Sequence, residues 1–235
     1  MKRIVKKLFL GNNAKTISAV SPIQKRIHNI SSIWHNHHQD DNGIEKIVRL
    51  ILSASQLFFP GLYIKQLASK KGHEYQDLYL DAYVIIKVIL PLFILSYNWL
   101  TNEVIIGIMV YFLIETLFYI PTLIFASDSF SRPRSYKRSM ILLFFNYFEI
   151  VFSFAVLYSL GDYLNKPFLH WFDAIYFSVI TSTSIGYGDF FPITTWGKFL
   201  VSSQAFLFLF FIVLFLNFFT GNIKSKGYFD HENSQ

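Results

Sequence analysis

Four apolar stretches, at 83–100, 103–126, 139–160 and 196–220, set the limits on what this 235-residue chain can fold into. As helices they are about 27, 36, 33 and 37 Å long at 1.5 Å per residue, against a hydrocarbon core of about 30 Å. A soluble domain of this length cannot hide so much apolar surface: 53% of the residues are hydrophobic, and Phe alone occurs 27 times. In hydrocarbon the backbone must satisfy its own hydrogen bonds. The expected fold class is therefore all-α, a polytopic membrane protein with four transmembrane helices. The first two form a hairpin through Asn98-Trp99-Leu100-Thr101-Asn102. Pro91 and Pro121 lie inside them, which membrane helices tolerate better than soluble ones do.

Charge placement gives the expected orientation. Of the 21 Lys and Arg, all but Lys87, Lys166 and Lys198 fall before residue 83, between the second and third stretches, or after the fourth. By the positive-inside rule both termini are then cytoplasmic. The segment 44–64 is apolar but interrupted by Arg49, Ser53, Ser55, Gln56, Pro60 and Gly61. A fifth crossing would break the charge asymmetry, so an amphipathic helix on the inner membrane surface is expected there. The organisation is a basic cytoplasmic region at 1–82, a hairpin at 83–127, a third unit at 128–222 and a short cytoplasmic tail at 223–235.

No acidic residue precedes Asp40, whereas Lys2, Arg3, Lys6, Lys7, Lys15, Lys25 and Arg26 do. This stretch suits an anionic lipid surface. A solvated tail and an acid-poor transit peptide are the other readings. The net charge of +6 thus reads as membrane topology, not as nucleic-acid binding. The apolar piece Leu8–Leu10 is too short for a signal-peptide core. The absence of Cys removes thiolate metal sites, disulfides and thiol catalysis. No cofactor site, P-loop or catalytic set is visible. His35, His37, His38, Asp40 and Asp41 match no defined metal spacing and read as a solvated linker.

The segment from Gly161 to Thr195 is too long for a simple loop and not apolar enough for a crossing. Trp171 to Thr183 reads as a helix of about 20 Å, which reaches only part-way into a bilayer. It leads into Thr181-Ser182-Thr183-Ser184-Ile185-Gly186-Tyr187-Gly188-Asp189. That string resembles the potassium-channel filter signature T-x-x-T-V-G-Y-G-D. Asp189-Phe190-Phe191-Pro192-Ile193-Thr194-Thr195-Trp196-Gly197-Lys198 resembles its continuation, and Phe172 to Ser178 its pore helix. The resemblance covers about 171–198 in detail, and 139–220 as a two-helix-plus-pore-loop unit.

It implies a re-entrant pore helix and filter loop, a homotetramer around one axis, and K⁺ as permeant ion with no cofactor. The ion would meet Ser184, Ile185, Gly186, Tyr187 and Gly188, with the metal sites at Ser184 to Tyr187. Backbone carbonyls that replace an ion's water shell must all point inward. That needs positive φ at some residues, which Gly supplies. Filter support is expected from Thr181, Thr183, Asp189, Tyr176 and Phe177. The C-terminal end of the pore helix would face the ion with its partial negative charge. Phe191 would stand at the outer mouth, where a ring of four aromatics suits external tetraethylammonium.

The chain departs from the family at three points. Ser184 replaces the usual Thr. Ile180 occupies the position where some members carry a Glu. No Gly lies near Phe208, where the family's inner helix has its hinge. Phe206, Phe208, Phe210 and Phe211 would instead be lipid-facing or form an apolar constriction.

No span carries the repeated Arg or Lys of a voltage sensor. Lys87 is expected near a span end, snorkelling. Glu115 and Glu149 lie mid-span, with Lys87 a candidate partner for Glu115 across the hairpin. Three rival functions remain. Gly186-Tyr187-Gly188-Asp189 also reads as the G-x-G-D of intramembrane aspartyl proteases, but the candidate second acids, Asp162 and Asp173, lie outside the spans. A nonselective cation channel is nearer in kind, although its relatives tend to replace the tyrosine that Tyr187 retains. An accessory membrane subunit is the third.

Overall fold

The computed structural model describes residues 21–36, 42–69, 73–126 and 136–222. These are all-helical, with no strands among them. The helices are α1 (Pro22–Trp34), α2 (Gly43–Ser55), α3 (Pro60–Ser69), α4 (His73–Ser96), α5 (Glu103–Phe125), α6 (Tyr136–Ser159), α7 (Trp171–Ser182) and α8 (Thr195–Asn222). Four of them are long and apolar enough to cross a membrane: 77–96 of α4, α5, 137–159 of α6 and 195–216 of α8. Of the basic residues before Asp40, those up to Lys15 lie outside the described residues, as do His37, His38, Asp40, Asp41, Arg132, Arg134 and the tail from residue 223. His35 ends α1, with its ring Nδ1 2.9 Å from the Ser31 carbonyl.

The basic N-terminal region is more structured than its charge suggests. Ser21 caps α1, its hydroxyl accepting from the Gln24 amide at 3.2 Å while the Gln24 side chain accepts from the Ser21 amide. Pro22 fills the first turn, where no amide partner is needed.

The single interfacial helix expected at 44–64 is instead two helices, α2 and α3, bent by 59°. Pro60 disfavours helical geometry at Phe59 and opens α3 as its first residue. The bent pair taken together also passes the length and hydropathy test for one broken span. Its α2 half faces Ile44, Ile47 and Ile51 outward and turns Arg49 and Ser53 inward. An apolar exterior over a polar interior suits hydrocarbon better than water.

A short turn joins α4 to α5. Asn98 takes a left-handed φ of 54°, a 3₁₀ turn spans Trp99–Thr101, and Asn102 caps α5 by accepting from the Ile105 amide at 3.2 Å. But α4 begins ten residues before the expected 83. The membrane-length part is Asp77–Ser96, which moves Lys87 from the end of a span to its middle. Lys87 does not snorkel: it is 4% exposed, 3.5 Å from Glu115 and 3.2 Å from Glu149.

Helix α6 is the most buried of the four spans and joins the two halves of the molecule. One face packs on α4 and α5, burying Ile94, Leu95 and Met109 against Ala155 and Val156. Its other face packs on α7 and α8 through Phe154, Tyr158, Phe177, Ile180, Phe211 and Leu214. At its start, Arg138 pairs with Asp77 at 3.3 Å and Asp81 at 2.6 Å. All three are about one-third exposed, so the pair contributes about 0–1 kcal/mol.

Candidate pore helix and filter

Helix α7 begins with reciprocal capping. The His170 ring accepts from the Phe172 amide at 3.2 Å, and the Asp173 carboxylate accepts from the amides of His170 (2.9 Å) and Leu169 (3.1 Å). One of the two acids weighed for a protease pair is therefore committed to starting a helix. α7 ends after twelve residues, where amides of the next three residues take its final carbonyls. Thr183 N donates to Val179 O at 3.0 Å, Ser184 N to Thr181 O at 3.1 Å, and Ile185 N to Ile180 O at 2.9 Å. Thr183 Oγ1 also donates to Val179 O, at 2.9 Å. The negative end of α7 is thus largely neutralised by amides and a hydroxyl, leaving less bare charge there than a free helix end carries.

Beyond it the backbone alternates. Ser184, Gly186 and Gly188 have φ of 58°, 53° and 82°, whereas Ile185 and Tyr187 between them do not enter the positive-φ region. The two glycines sit where positive φ was expected. The left-handed Ser184 was not expected, and serine adopts this conformation at a cost of about 1–2 kcal/mol. Residues 184–189 are all exposed in the single chain, Tyr187 at 71%. Among the described residues, no aromatic of the same chain stacks on the Tyr187 ring.

The supporting residues divide. Tyr176 lies close enough to Asp189 for the two to interact electrostatically. Phe177 faces away from the filter, its ring centroid 4.8 Å from Tyr158 of α6. Thr181 contributes its carbonyl, and Thr183 turns its hydroxyl back onto α7. Ile180, where a carboxyl would stand in some relatives, is 5% exposed in the apolar core. Phe191 is half exposed at the far end of the segment.

Several residues that hold this site carry no motif. Asn165 clasps the exit of the segment: its side-chain oxygen accepts from the Phe191 amide at 3.0 Å, and its own amide donates to the Phe191 carbonyl at 3.0 Å. Gln204 of α8 ties α6, α7 and α8 together. It accepts from the Tyr158 hydroxyl at 2.7 Å and donates to Ser178 Oγ at 2.7 Å, while Ser178 donates to the Val151 carbonyl at 2.6 Å. A lone Gln in an apolar helix was the available signal, because a buried amide must find partners. Gln204→Leu should lower unfolding stability by about 1–3 kcal/mol, the cost of leaving the buried Tyr158 hydroxyl without its partner. Thermal unfolding of purified protein in detergent measures it.

Gly197 at the start of α8 touches the outer loop. A Cβ there would lie 2.8 Å from the Tyr163 carbonyl oxygen, a backbone atom that cannot swing aside. Gly197→Ala should therefore destabilise by about 1–3 kcal/mol, read by the same unfolding measurement.

The four phenylalanines considered for a constriction, Phe206, Phe208, Phe210 and Phe211 of α8, do not share one face. Phe211 is 1% exposed against Tyr147 at 5.3 Å, Phe208 lies 6.0 Å from the same ring, and Phe210 packs on the core. A constriction built from all four is excluded. Phe206 alone is freely exposed, on a stripe with Leu209, Val213 and Leu216.

Neither the curated proteins nor the solved structures include a match to this chain. Residues 140–224, from the first turns of α6 past the end of α8, are similar to the family described as ion channel, a match that covers 85 of the chain's 235 residues.

Proposed function

We propose that the chain is one subunit of a potassium-selective channel, conducting K⁺ passively through a homotetrameric pore. The alternation of left-handed residues at 184, 186 and 188 carries this reading. In an ordinary extended chain successive carbonyls point to opposite sides. Reversing the handedness of every second residue brings them to one side, as a row of ligands for a dehydrated cation requires. The row begins at the inner end of a twelve-residue helix held between two spans. Irregular backbone at this depth must line a water path or be covered by protein. Residues 184–189 are exposed on one chain, so further copies must cover them. Four copies would place the rows around an axis, with Tyr187 packed on a neighbour and the stripe from Phe206 to Leu216 facing the inner pathway. The charge bias supports a topology with α1 and both ends of the chain on the cytoplasmic side, next to anionic lipid.

The test is the reversal potential of purified protein in planar bilayers, with K⁺ on one side and Na⁺ on the other. A value near the K⁺ equilibrium potential supports the proposal. A value near zero with robust current replaces it with a nonselective cation channel.

A further inference from the structure

Three charged side chains from three helices meet inside the bundle, where α4 and α5 pack on α6. Lys87 of α4 is 4% exposed, Glu115 of α5 12% and Glu149 of α6 1%. The two acids divide their partners unequally. Glu115 is fully engaged: Oε1 accepts from the Gly61 amide of α3 at 3.1 Å, and Oε2 accepts from the Tyr83 hydroxyl of α4 and pairs with Lys87 at 3.5 Å. Glu149 uses only one oxygen. Its Oε2 accepts from Thr116 Oγ1 of α5 at 2.8 Å and pairs with Lys87 at 3.2 Å, while Oε1 is buried with no hydrogen-bond partner. Lys87 also donates to Thr116 at 2.5 Å. The further titratable groups close by are Tyr119 of α5 and Tyr111 of α5, whose hydroxyl donates to the Phe58 carbonyl at 2.6 Å.

One ammonium thus faces two carboxyl groups at a site with almost no water. If both carboxyls are ionised, a net negative charge is left buried, which is far more costly than a neutral cluster. The cluster becomes neutral if one acid takes a proton. Glu115 has three donors aimed at it, all of which favour its carboxylate form. Glu149 has a bare oxygen. Ser153, four residues on along the same face of α6, carries another buried, unpartnered oxygen, which can accept from a protonated carboxyl.

We propose that Glu149 is a proton-binding site, and that its occupancy decides how Lys87 is shared between the hairpin and the outer helix of the pore unit. With the proton bound, Lys87 serves Glu115, which in turn holds the start of α3. With the proton released, the Glu149 carboxylate draws Lys87 toward α6, and the grip of Glu115 on the bent α2–α3 pair weakens. Conduction through α6–α8 then responds to pH from inside the membrane, by way of the hairpin.

The experiment uses the full chain in lipid vesicles, titrated from acid to alkaline pH and followed by infrared difference spectroscopy and by ion flux. The expected result is a protonated-carboxyl band that disappears with rising pH. Glu149→Gln should lack it, Glu115→Gln should lose it at lower pH than the wild type because Lys87 then serves Glu149 alone, and Glu149→Asp should restore it. Flux should change over the same pH range in the wild type and be flat in Glu149→Gln. A wild type without such a band, or a band that survives in Glu149→Gln, overturns the proton site. A flux that stays constant while the band titrates overturns the coupling. If no variant conducts at any pH but the band behaves as expected, the proton site stands and the channel reading falls.

Discussion

Gly188→Ala should abolish potassium-selective current while leaving the helices and their packing intact. A Cβ on Gly188 would meet no atom within 4 Å, so steric clash is not the mechanism. The mechanism is the backbone: φ is 82°, beyond the left-handed region that L-residues tolerate best. Alanine there costs about 1–2 kcal/mol in each copy. Peptide rotation to a negative φ relieves it and turns a carbonyl away from its row. In a tetramer that loss recurs around the axis, removing a whole layer of ligands. Gly186→Ala, at φ 53°, should do the same less completely. Reversal potentials read the effect, and circular dichroism with thermal unfolding checks the fold. A Gly188→Ala protein that still separates K⁺ from Na⁺ as the wild type does would rule out the carbonyl row as the selective element.

Lys87→Met should be among the most destabilising single changes outside the apolar core. Removing one partner of a buried ion pair costs about 3–5 kcal/mol, because the charge left behind has neither water nor counter-ion. Here two acids lose their counter-ion at once. The unpaired carboxyls must take up protons in the folded state, so the deficit shrinks as pH falls and grows as it rises. The triple variant Lys87→Met, Glu115→Gln, Glu149→Gln should recover most of the loss, since neutral groups of similar shape replace the network. Denaturation midpoints across pH measure all three proteins. A Lys87→Met protein as stable as the wild type at alkaline pH would mean that Lys87 does not hold the acids.

How far each feature could be read ahead of the structure depends on what it asks of its residues. A positive φ favours glycine, so Gly186 and Gly188 leave a mark in the sequence. Ser184 shares their handedness but leaves none, because serine is compatible with many backbones. The division of 44–64 is written in Pro60-Gly61, yet its angle depends on Glu115 and Tyr111 of a helix some fifty residues away. Lys87 shows the limit of hydropathy. Apolar runs locate a span but not its first turn, and a ten-residue shift in where α4 begins changes a snorkelling lysine into a buried one. The Phe residues of α8 show another limit. Composition gives their number, but rotation against Tyr147 decides which are hidden. Asn165 and the Ser178–Gln204–Tyr158 bridge depend on tertiary neighbours that no local pattern specifies.

A newly inserted copy of this chain leaves residues 184–189 exposed, although the amides of Ser184 and Ile185 are bonded to carbonyls of α7. Hydrocarbon offers the other backbone groups there no hydrogen bonds, at several kcal/mol for each one left bare. In the proposed tetramer a solitary subunit would therefore be a short-lived species during biosynthesis. Newly made copies would gain by meeting soon after insertion, and an excess of unmatched copies is what membrane quality control would recognise. Under that proposal the segment that handles ions would also be the signal that assembly is incomplete.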